Sequence, residues 1–283
     1  MSTLIDIKED FQKLKAMLPD VKKYYNNPLI REPFLNVFHY SFCWSSNALE
    51  GNTLSLDDTI SFLDYDEVRS GHKFSEYEEA KRLHDTIKQY LSFQPRQIDL
   101  DWIIDLNHGI TGEPRGLRTE DVYIGNQLEA VYYPPSHSRV AELIDDFLTD
   151  IQFQSNDVAE ILCKTAETHI AFERIHPFKD GNGRTGRMIL NQCLINNGLL
   201  PVILESKSSY RKAFKVYNKN GDQSLMEHLL CKAERQAMEN VLLLAEQYEN
   251  SRKEPDHEKQ TQICCGHRNL DRDAAGDRCD SGD

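Results

Sequence analysis

Apolar residues recur every three to four positions through most of the chain, the period of a helix with one buried face. The pattern predicts helices over 4–24, 28–49, 55–70, 74–92, 99–110, 137–152, 157–175, 184–197, 208–219 and 223–250. Pro28 or Pro33 opens the second, and Gly51 stops it just after Glu50. Ser75 ahead of Glu78 reads as an N-cap for the fourth, and Gly112 with Pro114 ends the fifth. One stretch, 117–134, breaks the period. There Val122–Ile124 and Ala130–Tyr133 are strand-type runs flanking Gly125-Asn126, which predicts a β-hairpin. A lone hairpin is marginal in water, so it is expected to work as a flap over something. From 252 the chain turns polar and aperiodic, and a disordered tail is expected over 252–283. The fold class is therefore all-α, a helical bundle with one β-hairpin flap, and no internal repeat is visible.

Composition narrows the function. Of 283 residues, 46 are Asp or Glu against 33 Lys or Arg, a formal charge of −13. That balance excludes a general nucleic-acid coat, whose affinity comes from cations neutralising phosphates. It permits a local anion pocket built from a few guanidinium groups and backbone amides. The N-terminal stretch carries acidic residues where a signal peptide needs a positive start, and no run is apolar enough to span a membrane. A cytoplasmic protein is expected, with a secreted effector as the alternative. Seven scattered cysteines read as free thiols in a reducing compartment. Cys264, Cys265, His267 and Cys279 match no usual zinc spacing.

Candidate chemistry is concentrated in Ile175-His176-Pro177-Phe178-Lys179-Asp180-Gly181-Asn182-Gly183-Arg184-Thr185-Gly186-Arg187. Asp-Gly-Asn-Gly falls in a tight loop leading into a helix, where unpaired amides and the positive dipole end favour an anion. Gly181 and Gly183 let the backbone curl its N–H groups into a nest. Arg184 and Arg187, three apart, share one helix face and can grip separate oxygens of a polyphosphate. Asp180, a single carboxylate, suits Mg²⁺ shared with substrate phosphates. His176 stands where a neutral imidazole can take a proton from an incoming hydroxyl. Taken singly, each has an ordinary explanation: a capping His before Pro, a Gly turn, two Arg on a solvated face, a core Phe178. Their conjunction is what points to phosphate chemistry.

His176 through Arg187 resembles the Fic family signature, H-x-F-x-[D/E]-G-N-G-R-x-x-R, with every fixed position filled. The likeness extends more loosely over 96–235. It implies a Fic fold and transfer of AMP from ATP to a Ser, Thr or Tyr hydroxyl of a target protein. Under it His176 is the base and Asp180 holds Mg²⁺. Gly181, Asn182, Gly183, Arg184, Thr185, Gly186 and Arg187 bind the phosphates. Ile124, Gly125, Asn126 and Gln127 of the flap border the nucleotide and align the target along 117–134. Tyr210 and Asn218 match positions near the adenine; Arg211 falls where relatives often carry Tyr. The intact Gly-Asn-Gly-Arg argues against the phosphorylating Doc variant. Transfer of UMP or phosphocholine stays open, because the loop reads diphosphate more than base. A nucleotide-binding adaptor without catalysis is the rival of another class.

Ser46-Asn47-Ala48-Leu49-Glu50-Gly51 resembles the family's inhibitory motif, [S/T]-x-x-x-E-[G/N]. It puts Glu50 at a helix C-terminus, the wrong end for a carboxylate by about 0.3–1 kcal/mol. The resemblance implies that Glu50 pairs with Arg187 and denies it to the γ-phosphate, while Ser46 docks the helix one turn earlier. In some relatives the same Glu positions a water that removes AMP, so reversal is a further expectation, as is a homodimer. The expected organisation is a regulatory helical region over 1–95, a Fic domain over 96–235, a helix end over 236–251 and the tail. No DNA-reading domain is expected in so short and polar a tail.

Overall fold

The computed structural model describes residues 8–125 and 130–253, without the side chains of 130, 131 and 253. Ten helices form among the described residues: α1 (Lys8–Tyr25), α2 (Pro28–Glu50), α3 (Leu56–Tyr65), α4 (Phe74–Tyr90), α5 (Leu100–Thr111), α6 (Val140–Asp150), α7 (Val158–Ile175), α8 (Asn182–Asn196), α9 (Lys207–Asn220) and α10 (Ser224–Lys253). The hairpin pairs β1 (Ile124–Gly125) with β2 (Ala130–Tyr132), antiparallel, Ile124 opposite Tyr132. Asn126 and Gln127 lie outside the described residues, as does the tail from 254.

Local chemistry explains the boundaries. Asn27 caps α2 through a bond from Leu29 N at 3.1 Å, with Pro28 preset for the first turn. Asp99 caps α5 by accepting from Trp102 N at 2.9 Å. Three expectations need correction. Helix α3 ends at Tyr65 rather than 70, because Asp66 turns left-handed at φ 56°. Ser75 is not the cap of α4; Lys73 precedes the helix and donates its N–H to Glu76 at 2.8 Å. The helix after the loop starts at Asn182, two residues earlier than its periodicity suggests.

Helix α8 lies at the centre, packed on α7, α5 and α2. One apolar cluster joins α2, α4, α5, α6 and α7 around Phe38, Leu83, Ile103, Phe147 and Phe172. The other joins α1, α2, α7 and α10 around Leu14, Ile30, Leu162 and Met238. Nearly all of α8 is buried, its polar residues included. Burying those is tolerable because they are bonded: Asn191 accepts from Val202 N at 2.6 Å, and Gln192 accepts from Ser92 N at 3.2 Å. Among the described residues no helix is long and apolar enough to cross a membrane.

Candidate active site

The site is built where α7 ends and α8 begins. His176 stops α7 in the left-handed region, φ 51° and ψ 60°, a conformation costing a non-glycine residue about 1–2 kcal/mol. Its Nδ1 lies 3.3 Å from the Glu173 carbonyl, which fixes that nitrogen as the donor and leaves Nε2 as acceptor. Burial, and after it the Arg118 cation, hold the imidazole below its usual range, so it is neutral at pH 7.

The loop then closes on itself. Asn182 Oδ1 accepts from Phe178 N and Asn182 Nδ2 donates to Phe178 O, both at 2.9 Å. From α5, Asn107 donates to the Asp180 carbonyl at 2.8 Å and to Thr185 Oγ1 at 3.2 Å. Gly181 takes φ 76°, and a Cβ there would lie 2.4 Å from Thr111 Cγ2, so only glycine fits. The side chains of Asn182 and Thr185 are thus spent inside the loop. What they leave for a ligand is backbone.

Opposite this nest stands the end of α2. A Cβ on Gly183 would lie 2.2 Å from Glu50 Oε1 and 3.0 Å from Arg187 Nη1. The Glu50 carboxylate therefore occupies the anion position at the N-terminus of α8. Arg187, 2% exposed, donates to Glu50 Oε1 at 2.7 Å, and to Ser46 Oγ and Ser46 O at 2.9 Å each. Burial works against its charge, but Glu50, with Tyr210 and Glu173, more than offsets that, and its pKa rises. Desolvation alone would raise Glu50; Arg187, then Arg184 and Lys207, bring it below the usual carboxylate range. Lys207 also donates to the Ala48 carbonyl at 3.3 Å, holding the same helix end. Arg184 reaches Asn47 Oδ1 at 3.5 Å and Asp180 Oδ2 at 3.5 Å.

Other expected residues are spread around this centre. Tyr210 OH meets His169 Nε2 at 2.7 Å, and the Arg187 guanidinium sits 5.6 Å from the Tyr210 ring centre. Arg211 is exposed. Asn218 accepts from Arg174, whose guanidinium also lies over the rings of Tyr132 and Tyr217. Gly186 is needed for packing: a Cβ would lie 2.4 Å from Glu173 Oε1. Ile124 and Gly125 form the first flap strand.

Four residues escaped the sequence reading: Asn107, Arg118, Glu173 and Lys207. Asn107 had a signal, as a lone amide on the apolar run of α5. Arg118 and Lys207 reach the site from distant stretches of sequence, and Glu173, one turn before His176, gives no sign of its buried carboxyl oxygen in the helical pattern.

Two features fit a polyphosphate. Arg187 Nη1 is buried without a hydrogen-bond partner and faces the cradle over Gly183. Asp180, with 69% of its side chain open, offers a hard oxygen beside it. Among the described residues no three His, Cys, Asp or Glu gather to hold a metal by themselves. Mg²⁺ fits here only with phosphate oxygens among its ligands.

Residues 74–194, from the start of α4 into α8, match the Fic/DOC family. They belong to it. Protein adenylyltransferase fic-1 of Caenorhabditis elegans is 30% identical over 196 residues, covering 65% of this chain and 36% of that protein. The Caenorhabditis briggsae fic-1 is 28% identical over 232 residues, covering 77% and 42%. The chain spans less than half the length of these curated relatives. A Fic-domain signalling protein of Bacteroides thetaiotaomicron shares the fold at TM-score 0.67 and 20% identity, over 85% of this chain and 97% of that one. Fic-1 of C. elegans does so at 0.67 and 22%, over 84% and 71%. Among its described residues the matched stretch is helical apart from the hairpin, and it carries the signature loop between α7 and α8.

Proposed function

We propose that this chain transfers AMP from ATP to a hydroxyl of a protein side chain, and that its own α2 holds the reaction off. The relatives at 28–30% identity are named protein adenylyltransferases, which supports the activity. The single observation that carries the reading is the complete loop, with an unpartnered guanidinium edge aimed at its nest.

In this reading the triphosphate enters the nest over Gly181, Asn182 and Gly183 with the β/γ end against Arg184 and Arg187. The target hydroxyl attacks the α-phosphorus, the α–β bridging bond breaks and pyrophosphate leaves. His176 Nε2 takes the hydroxyl proton, which its neutral state at pH 7 allows. Asp180 would hold Mg²⁺, which when bound would supply charge neutralisation on the phosphates. Glu50 opposes all of this by occupying the anion position itself. Residues 1–95 then act as a regulatory region on a domain over 96–235. The reading extends to the reverse reaction, in which the same carboxylate would orient a water.

Incubation with α-³²P-ATP tests the scheme. Glu50→Gly should label itself strongly, wild type weakly, and His176→Ala with Glu50→Gly not at all. Equal labelling of wild type and Glu50→Gly would remove the inhibitory role. No label in any form would remove the transferase.

A further inference from the structure

Arg118 stands where three pieces of backbone meet. Its side chain is 1% exposed. Nε donates to the His176 carbonyl at 2.9 Å, Nη1 to the Glu120 carbonyl at 2.9 Å, and Nη2 to the Pro135 carbonyl. Its own N–H goes to the Pro177 carbonyl at 2.9 Å. Glu120 and Pro135 are the two roots of the flap; His176 and Pro177 are the start of the signature loop. A guanidinium presents its donors in a rigid planar fork, so it fixes angles between its partners as well as distances.

Two properties of those partners give the clasp a purpose. His176 is a non-glycine residue held left-handed, and the bond to its carbonyl comes from Arg118. The flap's two strands are only two and three residues long, with exposed Tyr123 just before the first and Tyr133 just after the second. Such a hairpin has little stability alone and takes its position from what grips its roots. Asp121 braces the same place, accepting from His137 N at 2.7 Å and lying 3.7 Å from Arg118 Nη1.

We propose that Arg118 is a positioning residue of the transfer reaction: it holds the flap, along which the target hydroxyl arrives, in register with His176. It touches neither nucleotide nor target. This rests on the transfer reading above.

The test uses the full chain carrying Glu50→Gly, with self-labelling from α-³²P-ATP as the rate and calorimetry of ATP binding beside it. Arg118→Lys and Arg118→Gln should each lower the rate about 100-fold, the cost of a misplacement near 1 Å. ATP affinity should stay within about threefold, since the loss lies in positioning the acceptor. The pH profile separates this from a loss of folding. Arg118 is one of the cations that depress the His176 pKa. In Arg118→Gln the acid limb of the profile should therefore move to higher pH; in Arg118→Lys it should stay.

An unchanged rate in either variant, or rate and ATP affinity falling together with the limb fixed, overturns the proposal. Should both variants fail to fold, Asp121→Ala loosens the same clasp from its exposed side. It should lower the rate about threefold to tenfold at unchanged ATP affinity, and no decline there overturns the proposal as well. Absence of label from the Glu50→Gly protein itself is a different result: it defeats the transfer reading, and this inference falls with it.

Discussion

Two helix ends face each other across the site, and they are held very differently. The N-terminus of α8 is built into the core: Asn182 bonds Phe178 twice, Asn107 ties Asp180 to Thr185, and Gly181 allows no side chain. The C-terminus of α2 is held against it by Ser46, Glu50 and Lys207. Glu50 keeps 44% of its side-chain surface open. The first end is fixed in the core; under the proposed inhibition the second must be removable. The comparison teaches that the proposed inhibition would need no distortion of the loop, because a carboxylate stands against Gly183 as the loop is built.

Changes on the permanent side should have the largest effects. His176→Ala, in the Glu50→Gly background, should lower AMP transfer by about 10²–10⁴-fold with ATP binding retained, as measured by label incorporation and calorimetry. Gly183→Ala sharpens the comparison. Its methyl would fall 2.2 Å from Glu50 Oε1 and so expel the inhibitory carboxylate. The same methyl occupies the phosphate position, so the variant should remain inactive and lose ATP affinity. Activation by Gly183→Ala would mean that the two anions do not share one place.

On the removable side the effects are gains. Glu50→Gly deletes a charged hydrogen bond of about 1.5–3 kcal/mol, so the labelling rate should rise about 10- to 100-fold. Ser46→Ala removes one neutral acceptor worth about 0.5–1.5 kcal/mol and should raise the rate only severalfold. Both gains read the same lock, and a larger effect from Ser46 would reverse the assignment of its main contact.

The smallest prediction concerns pH. Arg187 depresses the Glu50 pKa, so the stability this pair contributes is present above glutamate's unfolded value and lost only as pH falls through the lower folded one. Glu173, under Gly186, behaves oppositely, since burial raises it to about 8. Its contribution is full below the unfolded value and declines as pH rises through about 8. The melting temperature of Glu173→Gln should therefore fall less than that of wild type between neutral and mildly alkaline pH.

The signature loop was legible because its chemistry is local: glycines, a turn and a helix start within a dozen residues. The pair Glu50–Arg187 was legible through a short motif at a helix end where a carboxylate is out of place. The burial of Arg184 and Arg187 was not, because helical periodicity assigns polar positions to solvent and cannot see partners on α2. Arg118 and Asn107 were missed for a related reason. Each bonds backbone carbonyls more than fifty residues away, and a carbonyl leaves no trace in residue type. The α4 cap was misread because Glu76 reaches back to the Lys73 amide without any Ser or Thr being needed.

The pair of hydrogen bonds between Asn182 and Phe178 has a kinetic meaning as well. It closes a five-residue ring inside the protein, so the conformational entropy of the nest is lost once, during folding. Nucleotide arrival then orders little that was loose. Under the proposed function, the slow event in loading the site would be the departure of α2's last turn, and the on-rate for ATP should report how often that turn lets go.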